Sequence, residues 1–197
     1  MFIKYSALFI FLMLNLKCNS QQQKIITNYF HKVSHDCDHN NSNKLSYYKI
    51  EFIKGKNPIM PCSYFFDFKN YSESEKIGMI QELLTYEDDT SLCSVKINCY
   101  NPKRSQMTPK GIEYYSIQVE ALFIINHIIL SDPFSYSAFP ILRNVGGDNI
   151  ETIKGNLVKQ AFSFYKKWLE KVKKEGLIKM IKKKALPLNN ENRVFWF

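Results

Sequence analysis

The apolar pattern predicts a mainly α-helical fold: one compact domain of about five to six helices over residues 21–197, with one short β-hairpin near 141–153. Three observations lead there. Apolar residues recur at three- and four-residue spacing over 24–35, 73–86 and 157–175. The run 119–130 is almost wholly apolar. Start and stop signals flank these stripes, with Ser72 and Glu75 at one start and Gly176 at one end.

In chain order, Ile25, Ile26, Tyr29, Phe30 and Val33 make 24–35 a helix. The polar stretch from His39 to Asn43 is a loop. Two periods compete over 44–54. Leu45, Tyr48 and Phe52 suit a helix, whereas Tyr48, Ile50 and Phe52 suit a strand; Asn43 as a cap favours the helix. Gly55, Pro58 and Pro61 make 55–71 an aromatic-rich loop. The capping box of Ser72 and Glu75 opens a helix over 73–86 that turns Ile77, Ile80, Leu83 and Leu84 inward. Residues 87–110 read as irregular.

The helix over 111–130 is the expected centre of the core. From Val119 to Leu130 only Glu120, Asn126 and His127 are polar, and twelve residues are too few to span a bilayer, which needs about 20. Asp132-Pro133 ends it. Residues 141–145 can pair with 149–153 across Gly146-Gly147-Asp148. Asn156 caps the last long helix, over 157–175, whose inward stripe is Val158, Ala161, Phe162, Tyr165, Trp168, Leu169 and Val172. After Gly176 a shorter helix turns Leu177, Ile178 and Ile181 inward.

Residues 1–20 have the organisation of an export signal. Lys4 precedes an apolar run from Ala7 to Leu14, and polar Asn19 to Gln23 follow abruptly. Two processing routes fit: cleavage after Ser20, or acylation of Cys18 as the first residue of a lipoprotein. Over residues 1–23 the apolar core, Cys18 and the Ser- and Gln-rich tether resemble predicted lipoproteins of the Bacteroidetes type. That resemblance implies an envelope-anchored protein, periplasmic or at the outer membrane, and leaves the domain after it unassigned. Export places the chain in an oxidising compartment. The even count of Cys37, Cys62, Cys93 and Cys99 then suggests two disulfides, with Cys93 joined to Cys99 and Cys37 to Cys62 as the favoured pairing of three.

Charge is unevenly distributed. Residues 150–197 hold twelve Lys or Arg against four acids, whereas residues 18–149 hold thirteen against fourteen. Lys159, Lys166, Lys167, Lys173 and Lys174 fall on the outer face of the last long helix, a basic surface suited to an acidic protein partner or an anionic membrane. Nucleic acid is not the expected partner, because the chain is exported and arginine is scarce.

Catalytic signals are thin. His31, His35 and His39 lie four apart, and on a helix His31 and His35 would share one face, as paired metal ligands do. Glu120 and His127 lie seven apart along the core helix, where a buried carboxylate would have a raised pKa suited to acid–base work. No Gly-rich phosphate loop, nucleophile elbow or kinase signature is present, and no cofactor is expected. The sequence therefore points first to a non-enzymatic binding, inhibitor or immunity-type module. The alternative is a periplasmic or secreted hydrolase using a divalent metal.

Overall fold

The apolar run becomes helix α2, Ile117–Ile129, and every one of its thirteen residues is buried. A helix apolar on all sides must be enclosed on all sides. The enclosing layers explain the rest of the architecture. The computed structural model describes residues 29–35, 46–53, 68–97, 111–146, 150–189 and 193–197. Within them are four α-helices and six strands in two three-stranded sheets, so the fold is mixed α/β rather than mainly α or all-α.

Sheet A consists of β1 (Phe30–His35), β2 (Tyr47–Phe52) and β3 (Leu92–Cys93), in the order β1-β2-β3. β1 and β2 are antiparallel, with Phe30 opposite Phe52, Lys32 opposite Ile50 and Ser34 opposite Tyr48. Both strands correct helical expectations. Period two was present in β2, where Ile50 and Phe52 are buried. In β1 it was hidden, because the residue between Phe30 and Ser34 on the same face is Lys32. Its ammonium reaches Asp89 at 2.6 Å and Ser91 at 2.8 Å, and lies 4.1 Å from the centre of the Tyr48 ring. A lysine in that position reads as a break in an apolar stripe until its distant partners are known.

Helix α1 (Glu73–Leu83) starts with the expected reciprocal box of Ser72 and Glu75, and continues as a 3-10 turn over Leu84–Asp88. Residues 111–116 are not part of α2. The chain there runs extended beside β3, with Cys93 N–H bonded to Tyr115 O and Ile117 N–H to Ser91 O. Sheet B has the order β5-β4-β6, formed by β4 (Leu142–Asn144), β5 (Ile150–Glu151) and β6 (Val194–Trp196). The β4–β5 pair occupies the expected hairpin region. β6 pairs on the far side of β4, with Trp196 opposite Leu142.

Helix α3 (Asn156–Glu175) buries the whole predicted stripe, including Trp168, whose indole N–H donates to Ala185 O at 2.6 Å. The first helical residue is Asn156 itself, so Gly155 occupies the cap position. There the Glu151 carboxylate accepts from Val158 N–H, and a side chain at 155 would overlap that carboxylate. Gly176, at φ 95°, ends α3 and starts α4 (Leu177–Lys182). A left-handed residue at this point lets the chain break direction without β-carbon strain. Sheet A and α1 pack on α2; sheet B packs on α3.

Candidate functional site

Glu120 and His127 project from the same buried helix but do not form a site together. Seven residues of α-helix separate them by about 10 Å along the axis. Glu120 is fully buried, and its Oε2 accepts from Ile50 N–H at 3.1 Å. β3 is only two residues long and ends before it reaches Ile50, so that N–H has no strand partner. The carboxylate supplies the missing acceptor. Burial pushes its pKa well above the ordinary value, against the lowering effects of the Ile50 bond and nearby Lys49. Oε1 has no hydrogen-bond partner.

His127 lies between Phe123 and Phe134, with ring centroids at 5.0 and 5.4 Å. Burial lowers its pKa from 6.5 to about 4, so the imidazole is neutral near pH 7. Its Nε2 also lacks a partner. Each group is enclosed by its own part of the core, so the acid–base pairing suggested by their spacing does not occur.

The histidine series changes meaning because β1 is a strand. His31 is exposed, with Nε2 3.5 Å from a Glu51 carboxylate oxygen on the neighbouring strand. At about 3.3 Å per residue, the backbones of His31 and His35 stand about 13 Å apart, compared with about 6 Å for one helical turn of four residues. The helical geometry that would have presented them as paired ligands is absent. His39 lies outside the described residues. Among those residues no group of three His, Cys, Asp or Glu side chains could hold a metal ion.

Cys93 corrects the expected disulfide. It is a free thiol on β3, fully buried, with Sγ 3.0 Å from Tyr115 Oη. Strand pairing places it in the core, facing the extended segment before α2. Burial raises its pKa to about 11. Cys18, Cys37, Cys62 and Cys99 lie outside the described residues. The expected result is that Cys93 resists iodoacetamide in the native chain at mildly alkaline pH and reacts only on unfolding. Peptide mapping after a short pulse of reagent reads this directly, and rapid native labelling of Cys93 would contradict it.

A polar chain in the core was not visible in the sequence. Trp196 Nε1 donates to Tyr165 Oη at 2.8 Å, and Tyr165 Oη donates to Asn126 Oδ1 at 2.6 Å. Asn126 Nδ2 donates to Ser137 Oγ at 3.0 Å. The four residues come from β6, α3, α2 and the loop after α2. Asn126 was the only advance sign, as an amide within an apolar helix that needed a partner.

Lysines dominate the exposed positions of α3 and α4. Over 156–184 there are ten lysines against two glutamates. Lys159, Lys166, Lys167, Lys173 and Lys174 are all exposed, as are Lys171, Lys179, Lys182, Lys183 and Lys184. Four are ion-paired: Lys166 with Glu87, Lys173 with Glu170, and Lys179 and Lys183 with Glu175. The Lys166–Glu87 pair borders an open cleft of about 400 Å³ lined by Gln81, Leu84, Thr85, Asp88 and Leu169. Lys159, Lys167, Lys171, Lys174, Lys182 and Lys184 form no ion pair among the described residues, although the Glu175 carboxyl, held below its usual pKa first by Lys183, is also lowered by Lys171. One expectation fails on this face: Ile178 points outward and is 56% exposed, although Leu177 and Met180 beside it are buried. Compared with known protein families, curated proteins and solved structures, the chain has no match.

Proposed function

We propose that the chain is a non-enzymatic binding protein, exported to the cell envelope, whose working surface is the lysine face of α3 and α4. Such a module acts by occupancy rather than turnover, as an inhibitor or an immunity-type protector does. The observation that carries the reading is the division of labour among charges. Four glutamates are committed to backbone amides, Glu73 to Leu177, Glu82 to Tyr29 and Phe30, Glu120 to Ile50, and Glu151 to Val158, and so do not neutralise lysines. Five exposed lysines of 156–184, Lys159, Lys167, Lys174, Lys182 and Lys184, are left without an acidic partner among the described residues. Their mutual repulsion does nothing for folding, and a negatively charged partner would relieve it. The export-type run 7–14 supports the envelope location.

The test uses immobilised polyglutamate as a partner-free polyanion. The wild-type chain should be retained at low salt and released as ionic strength rises toward about 0.15 M, where exposed charges are screened beyond about 8 Å. Replacing Lys167, Lys171 and Lys174 by Glu should abolish retention and shift the thermal midpoint little, because none of the three forms an ion pair within the fold and only Lys171 has an acidic neighbour, the exposed Glu175. Equal retention of both proteins would reduce the face to a solvated surface and sink the proposal.

A further inference from the structure

We infer that the partner of the lysine face is an anionic phospholipid surface, and that Ile178 is the side chain that enters it. The inference rests on the binding role just proposed and adds the partner's chemical class. Two observations carry it.

The first is the composition of the face. The exposed residues of 156–184 are ten lysines, Asn156, Ser163, Glu170, Glu175 and Ile178. There is no arginine and no aromatic residue among them. Protein interfaces are anchored by arginine, tyrosine and tryptophan seated in pockets, and are depleted of lysine. A bidentate grip on carboxylates needs the planar guanidinium. Lysine is a mobile point charge on a long apolar stem. It suits a diffuse layer of headgroups, into which the stem can sink while the ammonium stays at the phosphates.

The second is the position of Ile178. On α4, at about 100° per residue, Ile178 lies about 40° from Lys182 and about 100° from Lys179, on the side away from buried Leu177 and Met180. An isoleucine exposed beside Lys179 and Lys182 has no folding role, since α4 is already anchored by Leu177 and Met180. An exposed apolar side chain flanked by lysines is the arrangement of a helix that lies in a membrane interface. Among the described residues no helix is long and apolar enough to cross a membrane, which is consistent with contact along the surface.

The experiment uses the full chain with vesicles of mixed phosphatidylglycerol and phosphatidylcholine. Phosphatidylcholine vesicles serve as the neutral control and report any contribution from the apolar run 7–14. The readout is the ratio of anionic to neutral binding in co-sedimentation. Each lysine near a charged bilayer adds about fivefold to affinity, so the Lys167, Lys171 and Lys174 to Glu variant should lose at least about 100-fold. Ile178→Asn should lose about tenfold on anionic vesicles, the worth of one buried aliphatic side chain, with no change on polyglutamate. Ile178→Trp should bind at least as well as wild type, and its fluorescence should shift to the blue on anionic vesicles but not with polyglutamate. Both native tryptophans are buried, at 4% and 5% exposure, so the new signal is separable by difference. If Ile178→Asn binds vesicles like wild type and Ile178→Trp shows no shift, the lipid inference is overturned, while retention on polyglutamate leaves the wider binding role standing. Failure of the wild type on both polyglutamate and vesicles overturns both.

Discussion

Deleting residues 194–197 is expected to abolish cooperative folding. β6 forms an outer strand of sheet B, and Val194 and Trp196 are buried. The deletion removes the Trp196 indole from its place beside Phe123, at 5.9 Å between ring centres, and the donor to Tyr165. It also removes the bonds from Phe197 N–H to Ile141 O and from Ala138 N–H to Phe197 O. Loss of a buried tryptophan side chain alone costs about 3–5 kcal/mol. The freed backbone and Tyr165 groups add about 1–3 kcal/mol for each one left buried without a partner. The total reaches the whole stability of an ordinary domain, about 5–15 kcal/mol. Near-ultraviolet circular dichroism and thermal melting should therefore show a truncated chain with retained helix but no fixed tertiary signal and no sharp transition. Phe195→Ala, on a half-buried position of the same strand, should melt near wild type. A truncated chain with the wild-type midpoint would show that β6 does not close the core.

The second large effect is a pair of opposed pH dependences on one helix. His127 has a folded pKa of about 4 against 6.5 for the free side chain, lowered by burial. Between those values the unfolded chain holds a proton that the native chain cannot, so its contribution is intact above pH 6.5 and is lost as pH falls toward 4. Over pH 6.5 to 4.5 the loss is about 2 kcal/mol. Glu120 works in the other direction. Its folded pKa is raised by burial above 4.5, so its contribution is complete below pH 4.5 and is lost as pH rises through the folded value. In the wild type the two effects offset on acidification. Glu120→Gln keeps an acceptor for Ile50 N–H and removes the carboxylate's titration, so its stability should fall steeply from pH 6.5 to 4.5. His127→Leu should instead become more stable over the same range. Urea unfolding of the three proteins across that window measures both slopes, and parallel slopes for the two variants would refute the assignment.

The sequence was most informative where structure depends on near neighbours. The stripe of α3 from Val158 to Val172, the capping box of Ser72 and Glu75, the stop at Gly176 and the apolar core helix all follow from residues within a turn or two of one another. The same residues in isolation favour the same conformation, and tertiary packing only had to agree with them. The lysine face was legible for the same reason, since the inward stripe defines the outward one.

Sheet A was not legible, because its logic is distant. Lys32 occupies an inward position of β1 only because Asp89 and Ser91 meet it there, and Glu120 is tolerated in the core because β3 stops short of Ile50. Cys93 looked like half of a local disulfide until strand pairing placed it against Tyr115. Glu120 and His127 share a helix stripe, but two turns hold them about 10 Å apart, Glu120 against β2 and His127 between Phe123 and Phe134. Local periodicity located the helices that formed, although it also read 24–35 and 44–54 as helical, and it gave the distribution of charge. The tertiary structure alone decided which segments became strands, which polar groups found partners, and that Ile178 faces solvent. Helical hydrogen bonds close within four residues, whereas strand pairing and buried polar contacts join residues tens of positions apart, a separation that no local pattern records.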